Sequence, residues 1–206
     1  MNMPASNLPT TYIIDDDRMA RESLKWLIES AGLPVQVFDH GLEFLEQVNT
    51  SLPGCVVLDV RMPDINGMEL YTRLKQRDIT MPVIIVTGHA DVAMAVRAMK
   101  AGAFDFIEKP YNDALMLERV QSAITHDQNK RRNQKRIAII KACADQLTPR
   151  ELEVMSFVLG SMQNKIIAIE LGISIKTVEL HRANLMTKMQ ARTSTELMKM
   201  ALIAEL

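Results

Sequence analysis

The sequence predicts an α/β front half, a doubly wound five-stranded parallel sheet, followed by a linker helix and a small all-α bundle of four helices. Three observations carry this. Short apolar runs alternate with amphipathic stretches up to residue 125, the pattern of strand–helix units in a parallel sheet. After Leu147 only the helical period remains. Between them, from about Gln128 to Lys141, lies a polar, basic stretch without Gly or Pro, which suits a helical connector. With 206 residues the chain is long enough for two domains. The boundaries read as a flexible N-terminus at 1–9, a first domain at 10–125, a helical linker at 126–143 and a second domain at 144–206.

Strands read at 11–14, 34–38, 54–58, 82–86 and 103–107. Pro34 and Pro82 stand at strand starts, where a missing N–H is harmless. The helices between them read from their apolar faces. Leu24, Leu27, Ile28 and Ala31 form the first, stopped by Gly32. Leu42, Phe44, Leu45 and Val48 form the second, and Met68, Leu70, Tyr71 and Leu74 the third, after Asn66-Gly67. Val92, Ala93, Val96 and Met99 form the fourth, ended by Gly102; Leu115, Leu117, Val120 and Ile124 form the fifth.

In the second part Thr148-Pro149-Arg150-Glu151 starts a helix, with Thr as N-cap, Pro at the first helical position and Glu completing a capping box. Leu152, Met155, Val158 and Leu159 give its apolar face, and Gly160 ends it. A short helix from Asn164 to Leu171 is closed by Gly172. Ser174 caps a third, from Ile175 to about Met189, and Thr193 with Glu196 starts a fourth.

A hydrophobic fraction of 48% with only 4% aromatics fits aliphatic cores. No apolar run approaches the ~20 residues of a membrane-spanning helix, and Met1 to Pro9 lacks the basic start and apolar stretch of a signal peptide. Two distant cysteines, Cys55 and Cys143, make a disulfide unexpected, and a cytoplasmic location follows as the simplest expectation. The net charge of −1 hides an asymmetry: residues 1–125 carry −6, 126–145 carry +4 and 146–206 carry +1. For the basic stretch alone, a solvated linker helix is the simpler account.

The chemistry gathers at strand ends. Gly54-Cys55-Val56-Val57-Leu58 runs into Asp59, and Thr11-Tyr12-Ile13-Ile14 runs into Asp15-Asp16-Asp17. In open parallel sheets the site lies at the carboxyl ends of the strands, and Asp15, Asp16, Asp59, Thr87 and Lys109 all fall there. Three carboxylates brought together repel unless a hard divalent cation relieves them, and Mg²⁺ suits oxygen ligands. A carboxylate can attack a phosphoryl group to form an acyl phosphate, and a lysine such as Lys109 would neutralise the transferring group. Thr87 could donate to a phosphate oxygen. Each residue alone is weak: an Asp after a strand is usually a turn residue. Strand order, spacing and chemistry agree only jointly.

The stretches Ile13-Ile14-Asp15-Asp16-Asp17, Val57-Leu58-Asp59-Val60-Arg61-Met62-Pro63-Asp64, Val86-Thr87-Gly88-His89 and Phe106-Ile107-Glu108-Lys109-Pro110 resemble bacterial response-regulator receiver domains, over residues 10–125. The resemblance implies a CheY-like, flavodoxin-like fold with Asp59 as phosphoacceptor. It implies Mg²⁺ held by Asp15, Asp16, Asp59 and the Arg61 carbonyl, contacts to the phosphoryl group from Thr87 and Lys109, and Phe106 as an aromatic switch. From the residues alone, Phe106 is equally a core strand residue. Asp17 reads as a surface or water-mediated neighbour and Asp64 as a loop residue.

In the second part, helix, tight turn, helix is the arrangement that places one helix in the DNA major groove. Lys176, Glu179 and Arg182, spaced three apart, read as one exposed face, with Val178, Leu185 and Met189 packing inward. Charge spacing alone would not distinguish this from any solvated helix. The stretches Leu147-Thr148-Pro149-Arg150-Glu151, Asn164-Lys165, Thr177-Val178-Glu179-Leu180-His181-Arg182-Ala183-Asn184 and Lys188-Met189 are similar to the LuxR-type effector domain, over about 144–206. That resemblance implies DNA contacts from Lys165, Lys176, Thr177, Glu179, Leu180, His181, Arg182 and Lys188. Met162-Gln163 departs from the small residues frequent in that family.

Both halves together, with Met94-Ala95-Val96-Arg97-Ala98-Met99-Lys100-Ala101-Gly102-Ala103, resemble the FixJ-like subfamily of FixJ/NarL two-component response regulators. The resemblance implies a transcription regulator and not a turnover enzyme. The implied partners are a sensor histidine kinase, double-stranded DNA, a second copy through the face of helix 4, strand 5 and helix 5, and RNA polymerase. A low charge of +1 over 146–206 predicts modest affinity for a monomer. Two alternatives stand beside it. A haloacid-dehalogenase-like aspartyl phosphatase also uses a strand-end Asp and Mg²⁺, but needs a second acid where this chain has Arg61. A phosphorylation-independent DNA-binding regulator would not need the intact pocket.

Overall fold

The computed structural model describes residues 8–89 and 91–206, so the expected flexible N-terminus lies outside the described residues except for Leu8 and Pro9. The chain divides into two compact units after Arg131. The first holds five parallel strands, β1 (Thr10–Ile14), β2 (Val35–Phe38), β3 (Gly54–Asp59), β4 (Val83–Thr87) and β5 (Asp105–Glu108), in the order β2-β1-β3-β4-β5. Helices α1 (Arg18–Ser30), α2 (Gly41–Gln47), α3 (Gly67–Gln76) and α4 (Val92–Lys100) follow the first four strands, and α5 (Asp113–Ala144) the fifth.

Successive strand residues face opposite ways, and each face has its own core. Tyr12, Ile14, Val56, Leu58 and Ile85 pack with Phe44, Leu70 and Ala98 from α2, α3 and α4. Ile13, Cys55, Val57, Ile84 and Val86 pack with Leu24 and Ile28 from α1 and Met116 and Val120 from α5. Because both faces are covered, the strands read as continuous apolar runs. Burial pushes the Cys55 thiol up to about 12. Cys55 and Cys143 are both free thiols.

In the second unit the helix face expected at Leu152 differs, since Leu152 is 47% exposed and Val154 is buried, and in the first unit three helix faces differ most from the sequence reading. In α2 Leu42 is exposed while Phe44 and Leu45 are buried. In α5 the buried residues are Met116, Val120, Ala123 and Ile124, with Leu117 partly buried against them, so Met116 takes the place expected for the exposed Leu115. The largest difference is α4. Only Ala98 is buried, whereas Val92 is 82% exposed and Val96 and Met99 also face outward. The 3.6-residue period locates the apolar stripe but does not say what covers it. A further difference is that the expected boundary at 125 falls within one unbroken helix of 32 residues. Nothing between Asp113 and Ala144 is Gly or Pro, so no residue breaks it.

The part of α5 inside the first unit carries a buried ion pair. Asp127 is fully buried and accepts from Arg131 Nε at 2.7 Å and from the Gly54 N–H at 3.0 Å. Arg131 also donates to the carbonyls of Thr50, Ser51 and Leu52. This network ties α5 to the loop that delivers β3. Gly54 itself sits at φ +136 with its Cα against Thr10, where a Cβ would lie 1.9 Å from the Thr10 carbonyl.

In the second unit α6 (Pro149–Leu159), α7 (Asn164–Leu171), α8 (Ile175–Lys188) and α9 (Ser194–Ala204) enclose a core of Val154, Ile167, Val178, Leu185, Met189 and Leu197. Ile140, Cys143 and Ala144 of α5 join it. The expected capping box forms: Thr148 accepts from the Glu151 N–H and Glu151 accepts from the Thr148 N–H.

Gly67 opens α3 directly against β3, and a Cβ there would lie 2.1 Å from the Asp59 carbonyl oxygen. Gly67→Ala is therefore expected to cost about 1–3 kcal/mol in urea unfolding. It should cost more than Gly32→Ala, where an added Cβ meets nothing within 4 Å and only the φ of +74 is strained. Equal losses at both positions would show that the end of α3 can step away.

Candidate functional site

The topology sets the site. The sheet order reverses between β1 and β3, so helices leave in opposite directions and open a crevice at the carboxyl ends. Asp15 follows β1, Asp59 ends β3, Thr87 ends β4 and Lys109 follows β5. The structure brings Asp15, Asp59 and Lys109 together. Lys109 Nζ donates to Asp15 Oδ2 at 2.7 Å and to Asp59 Oδ1 at 2.9 Å. The Lys109–Pro110 bond is cis. Main-chain donors hold the remaining oxygens: the Arg61 N–H reaches Asp59 Oδ2 at 2.6 Å and the Asp17 N–H reaches Asp15 Oδ1 at 2.9 Å.

Asp15 and Asp59 are buried, and one ammonium faces two carboxylates. Burial pushes the Asp15 carboxyl up, against the lowering effect of Lys109, and Asp59 adds to the rise. Burial also opposes the charge on Lys109, but its bonds to the two carboxylates outweigh this and hold the ammonium above the ordinary lysine range. The two shifts describe an unequal match: the Lys109 ammonium is well served, the Asp15 carboxylate is not.

The expected cluster of three carboxylates does not close. Asp16 is exposed, and among the described residues no three His, Cys, Asp or Glu side chains gather at one point. The reason is local: Asp17 accepts from the Met19 and Ala20 N–H groups as the N-cap of α1, so the chain turns away at Asp16. The donor set still suits Mg²⁺. Two inward carboxylates with excess negative charge supply hard oxygens and leave positions for water. Thr87 is buried, and its Oγ1 accepts from the His89 N–H at 3.3 Å. That bond occupies an acceptor lone pair and leaves the O–H for donation. Phe106 is partly buried against the core under α2, α3 and α4. Asp64 is tied down: its Oδ2 accepts from the Leu42 N–H at 2.9 Å.

In the second unit Gly172, in the left-handed region at φ +64, ends α7, and Ser174 caps α8 through the Thr177 N–H. Lys165, Lys176, Glu179 and Leu180 are exposed, and His181 is half-buried. Thr177 shares a 2.8 Å hydroxyl contact with Ser174. Two expected DNA contacts are instead committed within the fold. Arg182 donates to Asn164 Oδ1 at 2.8 Å and to Ser194 Oγ at 3.1 Å. Three residues turn a helix by about 300°, so two such steps carry Arg182 roughly 120° away from Lys176. Lys188 pairs at 2.7 Å with the buried Glu151. No sequence signal marked Glu151 as more than a capping residue, nor Asp127 and Arg131 as more than linker charge.

The fold and site together define a phosphoacceptor-type α/β unit joined to a helix-turn-helix unit. The sequence matches the response regulator receiver domain over residues 11–121 and the LuxR family of bacterial regulatory proteins over residues 145–201. It is 44% identical over 193 residues to the transcriptional regulatory protein FixJ of Bradyrhizobium diazoefficiens, covering 94% of both chains. It is 40% identical to the response regulator protein TodT of Pseudomonas putida, over 91% of this chain and 83% of TodT. The solved structure of the response regulator StyR superposes with a TM-score of 0.86 at 36% identity, covering 95% of this chain and 98% of that one. The chain belongs to the FixJ-like response regulators, two-component transcriptional regulators with a receiver and a LuxR-type DNA-binding domain. Among its described residues no helix is long and apolar enough to cross a membrane.

A carboxyl whose pKa is raised by folding binds its proton more readily in the native state. The Asp15 contribution to stability therefore improves as pH falls through the raised value and is adverse above it. The Lys109 contribution is full below the ordinary lysine range and is lost as pH climbs through its raised value. Asp15→Asn is accordingly expected to raise the thermal midpoint at neutral pH in chelator and to remove the stabilisation given by Mg²⁺. A lower midpoint in chelator would show that the Lys109 bond outweighs burial.

Proposed function

We propose that Asp59 accepts a phosphoryl group from the phosphohistidine of a sensor kinase. The single observation that carries this is the convergence of Lys109 on Asp59 and Asp15 at the carboxyl end of the sheet. Both Asp59 oxygens are fixed by the Lys109 ammonium and the Arg61 N–H, so the carboxylate is oriented before its partner arrives. An Asp59 oxygen bonds to phosphorus as the P–N bond breaks. Lys109 neutralises the equatorial oxygens, and the Thr87 hydroxyl donates to one of them. Asp15, Asp59 and the Arg61 carbonyl would hold Mg²⁺, which supplies charge neutralisation for the phosphoryl group, and the exposed Asp16 would have to turn inward or act through a water to join them. Beyond slow self-phosphorylation and dephosphorylation, the unit turns over no substrate. Arg61 stands where a haloacid-dehalogenase-like phosphatase needs an acid.

Phosphorylation draws Thr87 inward, Phe106 follows, and the face of α4, β5 and α5 becomes a dimerisation surface. The outward apolar stripe of Val92, Val96 and Met99 supports this, as does the Asp105–Arg119 ion pair at 3.2 Å. Dimerisation doubles the contacts to double-stranded DNA made by Lys165, Lys176, Thr177, Glu179, Leu180 and His181. Working on promoters places the protein in the cytoplasm, with RNA polymerase as a further partner.

Asp59→Asn is expected to abolish acid-stable, hydroxylamine-sensitive labelling by a small phosphodonor and with it the rise in DNA affinity; unchanged labelling would sink the assignment. For the helix-turn-helix, Lys176→Ala should weaken duplex binding evenly across sequences and lower the salt slope by about 1. Lys188→Ala should instead lower the unfolding midpoint. A salt-slope change from Lys188→Ala at unchanged stability would restore that residue to the DNA surface.

A further inference from the structure

We propose that the second unit holds a binding site for an amphipathic organic anion, an apolar chain ending in a carboxylate. The site is a cavity of about 720 Å³ between the C-terminal half of α5, the end of α8, and α9. That volume is in the range of small-molecule sites. Its walls have two characters. Ile140, Cys143, Met189 and Met200 line an apolar floor. Arg132, Lys135, Arg136 and Lys199 line the other side with neutral Gln190, Thr193 and Thr195, against one acid, Glu196.

The two characters are ordered along α5. Arg132, Lys135, Arg136, Ile139, Ile140 and Cys143 recur at steps of three and four, so they share one helical face. The face is basic in its first half and apolar in its second. The centres of the two halves are about six residues apart, roughly 9–10 Å at 1.5 Å per residue. A medium-length acyl chain spans that distance with its head among the cations and its tail on the floor. Ile139 stands at the apolar end, 62% exposed; a seated tail would cover it.

The charge is not already cancelled. Lys135, Arg136 and Lys199 form no ion pair among the described residues. Glu196 is committed to the Arg192 N–H at 2.8 Å. Duplex DNA is the poorer occupant. The exposed residues Lys176, Glu179 and Leu180 lie in the first half of α8, whereas the cavity meets Met189 and Gln190 beyond its end. A phosphate backbone would use the cations and leave the exposed Ile139 uncovered.

The test uses the full chain labelled at methionine methyl groups, titrated with decanoate below its micellar concentration. Saturable shifts at Met189 and Met200 are expected, with affinity at least about tenfold above that of 1-decanol, the value of one charge contact. The double variant Arg136→Glu, Lys199→Glu should lose that preference while still answering 1-decanol, which also shows that the floor remains folded. The proposal is overturned by the absence of saturable shifts at these methyls, by equal affinity for 1-decanol, or by an unchanged preference in the double variant. Displacement of decanoate by non-specific duplex, or the same shifts from inorganic phosphate alone, would overturn it too, by assigning the surface to phosphate.

Discussion

One ammonium shared by two carboxylates is the interaction on which the first unit turns. Lys109 reaches Asp15 and Asp59 from a third strand end, so the contact exists only if β1, β3 and β5 are all in register. The site is thus a readout of the whole sheet. It is also left electrically incomplete, with negative charge in excess inside a poorly solvated crevice. Such a site is stabilised by a divalent cation, and a phosphoryl group on Asp59, which adds negative charge, makes the cation more necessary. The tension that limits stability is the same one that makes the crevice responsive.

Most of the fold was legible because its determinants are local. Buried parallel strands have to be apolar along their length, and Gly32, Gly102, Gly160 and Gly172 mark four of the helix ends, so the alternation of elements survives in the linear chain. The strand limits moved by one or two residues, since the ladder ends where the neighbouring strand ends. What local pattern could not show was the partner of each face. The stripe on α4 has the same period as the stripes on α1 and α3, yet it lies outward, and α4 meets the core through Ala98 and Met94 instead.

The site was legible to the extent that its residues sit at strand ends, since topology then gathers them whatever the intervening sequence. Asp15, Asp59, Thr87 and Lys109 obey that rule. Asp16 does not, because the N-cap of α1 at Asp17 decides the course of the chain there. In the helical unit the exposed set was readable from spacing only near the start of α8. Arg182 and Lys188 carry the charge of DNA contacts but spend it on Asn164, Ser194 and Glu151. Asp127 and Arg131 were hidden for a related reason. Inside a basic stretch, nothing separates a solvated charge from one that clamps a loop 73 residues earlier in the chain.

The bond between Glu151 and Lys188 has a consequence for handling the protein. It joins the first turn of α6 to the last turn of α8, so the attitude of α8 rests on a carboxylate. The Lys188 side chain first, and then the Thr148 N–H, hold that carboxyl below the ordinary glutamate range. The support is complete above the unfolded value and drains away as pH falls through the folded one. Acidic elution or storage buffers therefore act on the helical bundle through this residue.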